Sequence, residues 1–173
     1  EVLTPEASKI RGDVQARLCR LLAVAAGYQG MAGGQAIDLA SVGQDLNQDQ
    51  LRQMHRLKTG ALLEASVMMG AACGAASPQA LSALQRYSQA LGLAFQVIDD
   101  VLDVISDSAT LGKTAGKDAA NDKPTYVSLL GLAPAQAYAE ALLQEALDAL
   151  QDSGLTHTDA LAALAQRVVQ RNT

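Results

Sequence analysis

Apolar residues recur at intervals of three and four along most of the chain, which is the spacing that places side chains on one face of an α-helix. No segment shows the alternation of Val, Ile, Thr and aromatic residues that is typical of a β-strand. Proline, glycine and threonine mark where the helices begin and end. The pattern predicts a short segment over 37–39 and long helices over 5–28, 48–74, 78–106, 134–154 and 158–171. The predicted fold class is all-α.

Composition agrees with this pattern. Hydrophobic residues make up 49% of the 173 residues and aromatic residues only 3%, and a core rich in Ala, Leu and Val suits closely packed helices. The formal net charge of −5 argues against a nucleic-acid-binding protein with a broad basic surface. Two cysteines are too few for a disulfide framework, and no apolar run is long enough to span a membrane. We therefore expect a cytoplasmic protein with one helical domain.

The third long helix carries an unusual acidic cluster. Asp99, Asp100 and Asp103 follow Gln96, and no Lys, Arg or Glu occurs between residues 87 and 106. Asp99 and Asp103 are one turn apart and lie on the same side of the helix. Because a solvated helix face normally mixes Glu with Lys, an ordinary acidic surface is the less favoured interpretation. Carboxylates grouped without His or Cys suit a hard cation, above all Mg²⁺.

The second long helix contains a lysine within an otherwise apolar seam. Lys58 belongs to a run that alternates by three and four, together with Leu51, Met54, Ala61, Ala65, Met68 and Ala72. An ammonium group at such a position requires an anion, either a ligand or an internal carboxylate, unless the side chain extends to the helix edge. Gly60, two residues later, allows close approach of a neighbouring helix or a ligand.

Residues 107–123 interrupt the helical pattern, with two glycines separating the lysines Lys113, Lys117 and Lys123. Such a long loop in a compact domain is either functional or a plain connector. An acidic cluster suited to Mg²⁺, an inward lysine and a lysine-glycine loop together indicate a phosphate-bearing ligand. Mg²⁺ in proteins is commonly held by one or two carboxylates plus substrate phosphates.

Five strings, in this order along the chain, resemble the later half of bacterial trans-isoprenyl diphosphate synthases, most closely the farnesyl diphosphate synthase group. They are GMAGGQAIDL (30–39), HRLKTGALLEASV (55–67), LGLAFQVIDDVLDV (91–104), LGKTAGKDAANDKPTY (111–126) and VVQRN (168–172). The resemblance implies an isoprenoid synthase-type helical bundle, usually homodimeric. In that interpretation residues 1–173 are the C-terminal portion of a single prenyl synthase domain, without its N-terminal helices.

The resemblance also implies a metal site and a diphosphate site. Asp99, Asp100 and Asp103 match the second aspartate-rich motif of the family, whose carboxylates bind the Mg²⁺ that carries an allylic diphosphate. Lys113 and Lys123 match lysines that contact the diphosphate.

Three further residues are implied as catalytic. Lys58 and Thr59 match a Lys-Thr pair of the family, Gln96 matches its Phe-Gln-x-x-Asp-Asp glutamine, and Lys58 also contacts the diphosphate. The implied reaction is the head-to-tail condensation of an allylic diphosphate with isopentenyl diphosphate, which gives a short, farnesyl-type prenyl diphosphate.

Two alternatives stay open. One is a geranylgeranyl or longer-chain synthase, and the other is a non-catalytic isoprenoid-binding protein or partner subunit of the same fold. The family's first aspartate-rich motif does not occur in this sequence. We therefore expect the 173-residue chain by itself to be inactive.

Overall fold

A computed structural model describes residues 2–5, 9–44, 46–109 and 125–171, without the side chains of 107–109. These residues form eight α-helices and one π-helical segment, and no strand occurs among them, which confirms the predicted all-α class. The helices are α1 (Gly12–Ala26), α2 (Met31–Ala40), α3 (Gln48–His55), α4 (Ala61–Ala72), α5 (Pro78–Ala109), α6 (Tyr126–Leu130), α7 (Leu132–Asp152) and α8 (Asp159–Val169). The π segment Arg56–Gly60 joins α3 to α4 without a break.

The long helix α5 is the centre of the bundle, and it contacts α4, α6, α7, α8 and the π segment. Its most extensive packing is against α7, where α7 contributes a row of fully buried alanines at Ala135, Ala139, Ala146 and Ala149. Small side chains at these positions let the two helix axes approach closely. Tyr87 and Val97 of α5 are also fully buried, so the core extends along the helix to the acidic cluster.

The N-terminal part of the bundle differs from the sequence prediction. The helix α1 begins at Gly12 rather than near residue 5, and α2 extends the predicted short segment over 37–39 back to Met31. Gly33 and Gly34 therefore lie inside a helix, although glycine disfavours helix interiors. A Cβ on Gly34 would lie 2.2 Å from the backbone nitrogen of Lys58. Tertiary packing thus requires glycine at this position and overrides the local preference.

The predicted helix over 48–74 forms over 48–72, but it contains a π turn that the apolar pattern did not predict. The helix α6 was not predicted either, and a capping box between Thr125 and Ser128 fixes its start. Residues 107–109 of the predicted loop over 107–123 belong instead to α5, and the remainder of that loop lies outside the described residues.

Candidate functional site

The π segment presents two of the residues that the sequence analysis selected, Lys58 and Thr59. Single π turns inside α-helices are frequent at functional sites. Gly60, at the end of the segment, is buried. A Cβ added to Gly92 of α5 would lie 3.1 Å from the Cα of Gly60. The close approach that the sequence predicted at Gly60 is therefore confirmed, and the neighbour is α5.

Lys58 forms an ion pair with Asp38 of α2. The Lys58 Nζ lies 2.7 Å from the Asp38 Oδ2, and the Asp38 side chain is only 9% exposed. The internal carboxylate that the sequence analysis allowed as a partner of Lys58 is thus Asp38. Sequence reasoning missed this residue, although it is the only charged residue between Arg20 and Asp45 and follows an apolar stretch. An isolated carboxylate in such surroundings signals a buried partner.

A chain of hydrogen bonds connects the π segment to α5 and α6. The Thr59 Oγ1 lies 3.5 Å from the Gln96 Oε1, a long contact in which the hydroxyl is the donor. The Gln96 Nε2 donates to the Asp100 Oδ1 at 3.1 Å, and the backbone N–H of Tyr126 donates to the Asp100 Oδ2 at 2.7 Å. The structure therefore brings Thr59 and Gln96 together, and it places Asp100 in the same chain of contacts.

The three aspartates of the motif have different surroundings. Asp100 is 5% exposed and turned into the protein, whereas Asp103 is exposed. Asp99 is half-buried and pairs with the guanidinium of Arg171, beyond the end of α8. The same guanidinium donates to the carbonyl of Phe95 at 3.3 Å and lies 4.5 Å above the Phe95 ring. Arg171 lies in the VVQRN string (168–172), from which no role for it was predicted.

The donor set at Asp99 and Asp103 fits a hard divalent cation. Their oxygens are the ligands that Mg²⁺ prefers, and the guanidinium at Asp99 shows that this carboxylate accepts a positive charge. Within the described part of the chain, no three His, Cys, Asp or Glu residues are grouped closely enough to hold a metal by themselves. Lys113 and Lys123 lie outside the described residues.

His55 lies buried directly behind the Lys58–Asp38 pair. The pKa of this imidazole is lowered to about 4, chiefly by burial and also by the nearby Lys58 ammonium, while Asp38 and Gln96 oppose the shift. The ring packs against Tyr126, with 5.8 Å between the ring centroids. Among the described residues, neither ring nitrogen has a hydrogen-bond partner of good geometry. The histidine is therefore neutral at pH 7 and contributes packing rather than charge.

A cavity of about 510 Å³ lies between α1 and α4. This volume falls within the range of small-molecule sites. Its wall includes Ala61, Ala65 and Met68 of α4, together with Arg56 and Leu57 of the π segment. Arg17 and Arg20 stand at its α1 side. Neither Lys58 nor any aspartate of the motif lines this cavity.

The described helices include none with the length and apolar character that crossing a membrane requires. Their arrangement is that of the prenyl diphosphate synthases. The chain matches the FPP/GFPP synthase of Zymomonas mobilis with a TM-score of 0.81 and 32% identity, over 96% of this chain and 55% of the other. It also matches a geranyltransferase of Helicobacter pylori, complexed with magnesium and isoprenyl diphosphate, with a TM-score of 0.74 and 32% identity, over 95% of this chain and 53% of the other.

The chain belongs to the polyprenyl synthetase family, whose model matches residues 5–164. It is 49% identical over 160 residues to the probable farnesyl diphosphate synthase of Bradyrhizobium diazoefficiens, which covers 90% of this chain and 48% of the relative. It is 46% identical over 154 residues to the farnesyl diphosphate synthase of Escherichia coli, and the match covers 87% of this chain and 52% of the relative. A chloroplastic geranylgeranyl pyrophosphate synthase of Catharanthus roseus is 39% identical over 170 residues, and the match covers 96% of this chain and 48% of the relative. The chain spans about half the length of these curated relatives.

Proposed function

We propose that this chain provides the allylic-diphosphate side of a prenyltransferase site, in a synthase that condenses an allylic diphosphate with isopentenyl diphosphate to a farnesyl-type product. The observation that carries this proposal is the convergence of the π segment with α5. It sets Thr59, which directly follows Lys58 in the π segment, within 3.5 Å of Gln96. Identities near half to farnesyl diphosphate synthases support the same conclusion.

Asp99 and Asp103 are the residues that would hold Mg²⁺ together with the diphosphate, and Asp100 completes their motif. When bound, Mg²⁺ acts as a Lewis acid on the leaving diphosphate. The fit is supported by the hard oxygen donors on one side of α5 and by the positive charge that Asp99 already accepts from Arg171. Lys113 and Lys123 would add positive charge to the diphosphate from the segment between α5 and α6.

The carbon chemistry of the reaction would depend on the dipoles of Thr59 and Gln96, which would stabilise a carbocation. As the carbon–oxygen bond of the allylic diphosphate breaks, positive charge develops on the allylic carbons. Isopentenyl diphosphate then forms the new carbon–carbon bond, and a proton leaves to the released diphosphate. Lys58 would bind diphosphate oxygens in place of Asp38, because an ammonium group holds a phosphate as a point charge. Oriented oxygens of Thr59 and Gln96 would stabilise the allylic cation without reorganisation.

The apolar part of the substrate requires a separate wall. The cavity between α1 and α4 offers Ala61, Ala65 and Met68 of α4, next to Arg56 and Leu57 of the π segment. A prenyl chain held at the π segment and extended along α4 would contact these side chains. This assignment rests on Arg56 and Leu57, through which the π segment reaches the cavity, because Lys58, Thr59 and Gln96 do not line it.

The proposal includes a homodimer in the cytoplasm and a single helical domain over residues 1–173. Several apolar side chains of α1, α2 and the turn after each are exposed, and a self-complementary surface would cover them. They are Val24, Tyr28, Leu39 and Val42, with exposures of 47%, 81%, 64% and 51%.

Measurements of pyrophosphate binding test the proposed metal and diphosphate site, and measurements of product formation test the expected inactivity of this chain. Calorimetry of the 173-residue chain with inorganic pyrophosphate is expected to show binding that requires Mg²⁺, and Asp99→Asn is expected to weaken it about tenfold. The matched control is Asp148→Asn, a distant exposed aspartate of α7. Incubation of the chain with geranyl diphosphate, radiolabelled isopentenyl diphosphate and Mg²⁺ is expected to give no product. Magnesium-independent or absent pyrophosphate binding would contradict the proposed site, and product formation would contradict the expected inactivity of this chain.

The similarity to geranylgeranyl pyrophosphate synthase favours a second candidate, a synthase of longer products. A non-catalytic partner subunit is the third candidate. Binding of prenyl diphosphates of increasing chain length distinguishes the longer-chain synthase from the first candidate, because a farnesyl-type site is expected to lose affinity beyond a chain of fifteen carbons.

A further inference from the structure

Asp99 and Asp100 are neighbours in sequence, but they face different parts of the molecule. The Asp99 side chain is 38% exposed, whereas Asp100 is 5% exposed. Successive residues of an α-helix point about 100° apart, so two adjacent carboxylates cannot face the same ligand equally. Asp103, four residues after Asp99, shares its side of α5. The position of Asp100 on the helix therefore separates it from the other two carboxylates.

Both carboxylate oxygens of Asp100 already accept hydrogen bonds. Oδ1 accepts from the side-chain amide of Gln96 at 3.1 Å, and Oδ2 accepts from the backbone of Tyr126 at 2.7 Å. Tyr126 is the first residue of α6, and an N–H at that position has no partner within its own helix. The carboxylate thus connects α5 to the start of α6.

The contact with Asp100 also decides which way the Gln96 amide points. A carboxylate only accepts hydrogen bonds, so the amide must turn its NH₂ group toward Asp100. The carbonyl oxygen of Gln96 then faces Thr59, whose hydroxyl donates to it over 3.5 Å. Without Asp100, the amide could turn around and present its NH₂ group on that side.

We infer that Asp100 is a positioning residue, which turns the carbonyl oxygen of Gln96 toward Thr59 and the substrate while Asp99 and Asp103 serve the metal. The inference rests on the proposed function, because it assigns the Gln96 oxygen to the stabilisation of an allylic cation. A carbonyl oxygen places negative partial charge near the developing cation, whereas an NH₂ group would oppose it.

Two variants test the orientation. In Asp100→Asn, the amide oxygen of the new side chain keeps the Tyr126 contact and its NH₂ group faces Gln96, so the Gln96 amide must turn around to accept. The double variant Gln96→Glu with Asp100→Asn restores the original polarity toward Thr59. The introduced glutamate accepts hydrogen bonds both from the introduced amide at position 100 and from Thr59, and the net charge stays that of the wild-type chain.

Calorimetry with two probes in the presence of Mg²⁺ reads out the difference. One probe is inorganic pyrophosphate, and the other is a prenyl diphosphate analogue in which a protonated amine replaces the cationic carbon. Asp100→Asn is expected to bind pyrophosphate within about threefold of the wild-type affinity but the analogue about tenfold more weakly. The double variant is expected to recover the analogue. Asp99→Asn, the matched control, is expected to bind pyrophosphate about tenfold more weakly than the wild type.

Two results would overturn the inference. If Asp100→Asn loses pyrophosphate as strongly as Asp99→Asn, then Asp100 serves the metal directly. If Asp100→Asn binds the analogue as tightly as the wild type, or if the double variant does not recover it, then the orientation of Gln96 does not depend on Asp100. A merely structural role would weaken both probes together, and that outcome also contradicts the inference.

NMR distinguishes a failure of the proposed function from a failure of the inference about Asp100. If the wild-type chain binds no pyrophosphate, the proposed function fails, but the wild-type spectrum still tests the network. A through-hydrogen-bond coupling between the Tyr126 amide nitrogen and the Asp100 carboxylate carbon is expected, together with a resolved pair of Gln96 amide protons in slow exchange. The absence of both signals would overturn the inference, and this measurement does not depend on any variant that fails to fold.

Discussion

The ammonium group of Lys58 meets the carboxylate of Asp38 because Gly34, one turn before Asp38, lets α2 lie against the π segment. The Lys58 Nζ is 2.7 Å from the Asp38 Oδ2, and a Cβ on Gly34 would lie 2.2 Å from the Lys58 backbone nitrogen. Gly34 and Asp38 are four residues apart and therefore share one face of α2. One close helix contact thus determines both the backbone packing and the ion pair of the candidate site.

Replacement of Lys58 by methionine is expected to lower the free energy of unfolding by about 1–3 kcal/mol, because the nearly buried Asp38 carboxylate loses its cation. The double variant with Asp38→Asn is expected to lose less than the sum of the two single variants. Urea unfolding of all four proteins gives this coupling energy. Additive effects would show that the pair does not interact.

Replacement of Gly34 by alanine is expected to lower the free energy of unfolding by about 1–3 kcal/mol, because the added methyl overlaps the backbone of Lys58. The matched control is Gly70→Ala in α4, where no atom lies within 4 Å of the added Cβ. That variant is expected to gain about 0.5–1 kcal/mol from helix propensity. Thermal unfolding measures both, and a stabilised Gly34→Ala protein would contradict the described contact.

Stability is expected to fall as the pH drops from about 6.5 to 4. Burial lowers the pKa of His55 from 6.5 to about 4, so in this window the unfolded chain binds a proton that the folded chain does not. The contribution of neutral His55 to the free energy of unfolding is fully present above pH 6.5, the pKa in the unfolded chain. At pH 4 about 3 kcal/mol of this contribution is lost.

Denaturant titrations at several pH values, in the wild type and in His55→Gln, measure this loss. The variant has no titrating imidazole at this position and is expected to show the smaller slope of unfolding free energy against pH. Equal slopes in the two proteins would indicate that His55 titrates normally in the folded chain.

Two buried tyrosines are expected to respond oppositely to the removal of the hydroxyl group. The Tyr87 hydroxyl donates to the carbonyl of Leu161 at 2.8 Å, whereas the Tyr126 hydroxyl has no partner among the described residues. Tyr87→Phe is expected to lose about 1 kcal/mol of unfolding free energy, and Tyr126→Phe is expected to gain about 1 kcal/mol. Chemical denaturation compares them, and a larger loss in Tyr126→Phe would contradict the described surroundings.

The long helices were predictable because their apolar periodicity and end signals are local. Pro78 and the seam of α5 are examples, and α5 begins where the sequence predicts it. The predictions failed at α2 and at the π turn. In the sequence, Gly34 is a residue that disfavours a helix. In the structure, it is the residue that allows the backbone of Lys58 to approach α2. The π turn at Arg56–Gly60 shifts the helical register once, inside a run whose apolar residues already alternate between spacings of three and four, so periodicity does not reveal it.

The order of residues was enough to establish the all-α class, the family resemblance and the choice of Lys58, Thr59, Gln96 and the aspartates of the motif as candidate site residues. Their partners emerged only from the packed molecule: Asp38 for Lys58, Arg171 for Asp99, and Gln96 with Tyr126 for Asp100. This division arises because a helical pattern specifies which residues share a face. The neighbour that the face meets depends on how distant helices pack, and the close approaches at Gly34 and Gly92 set that packing here.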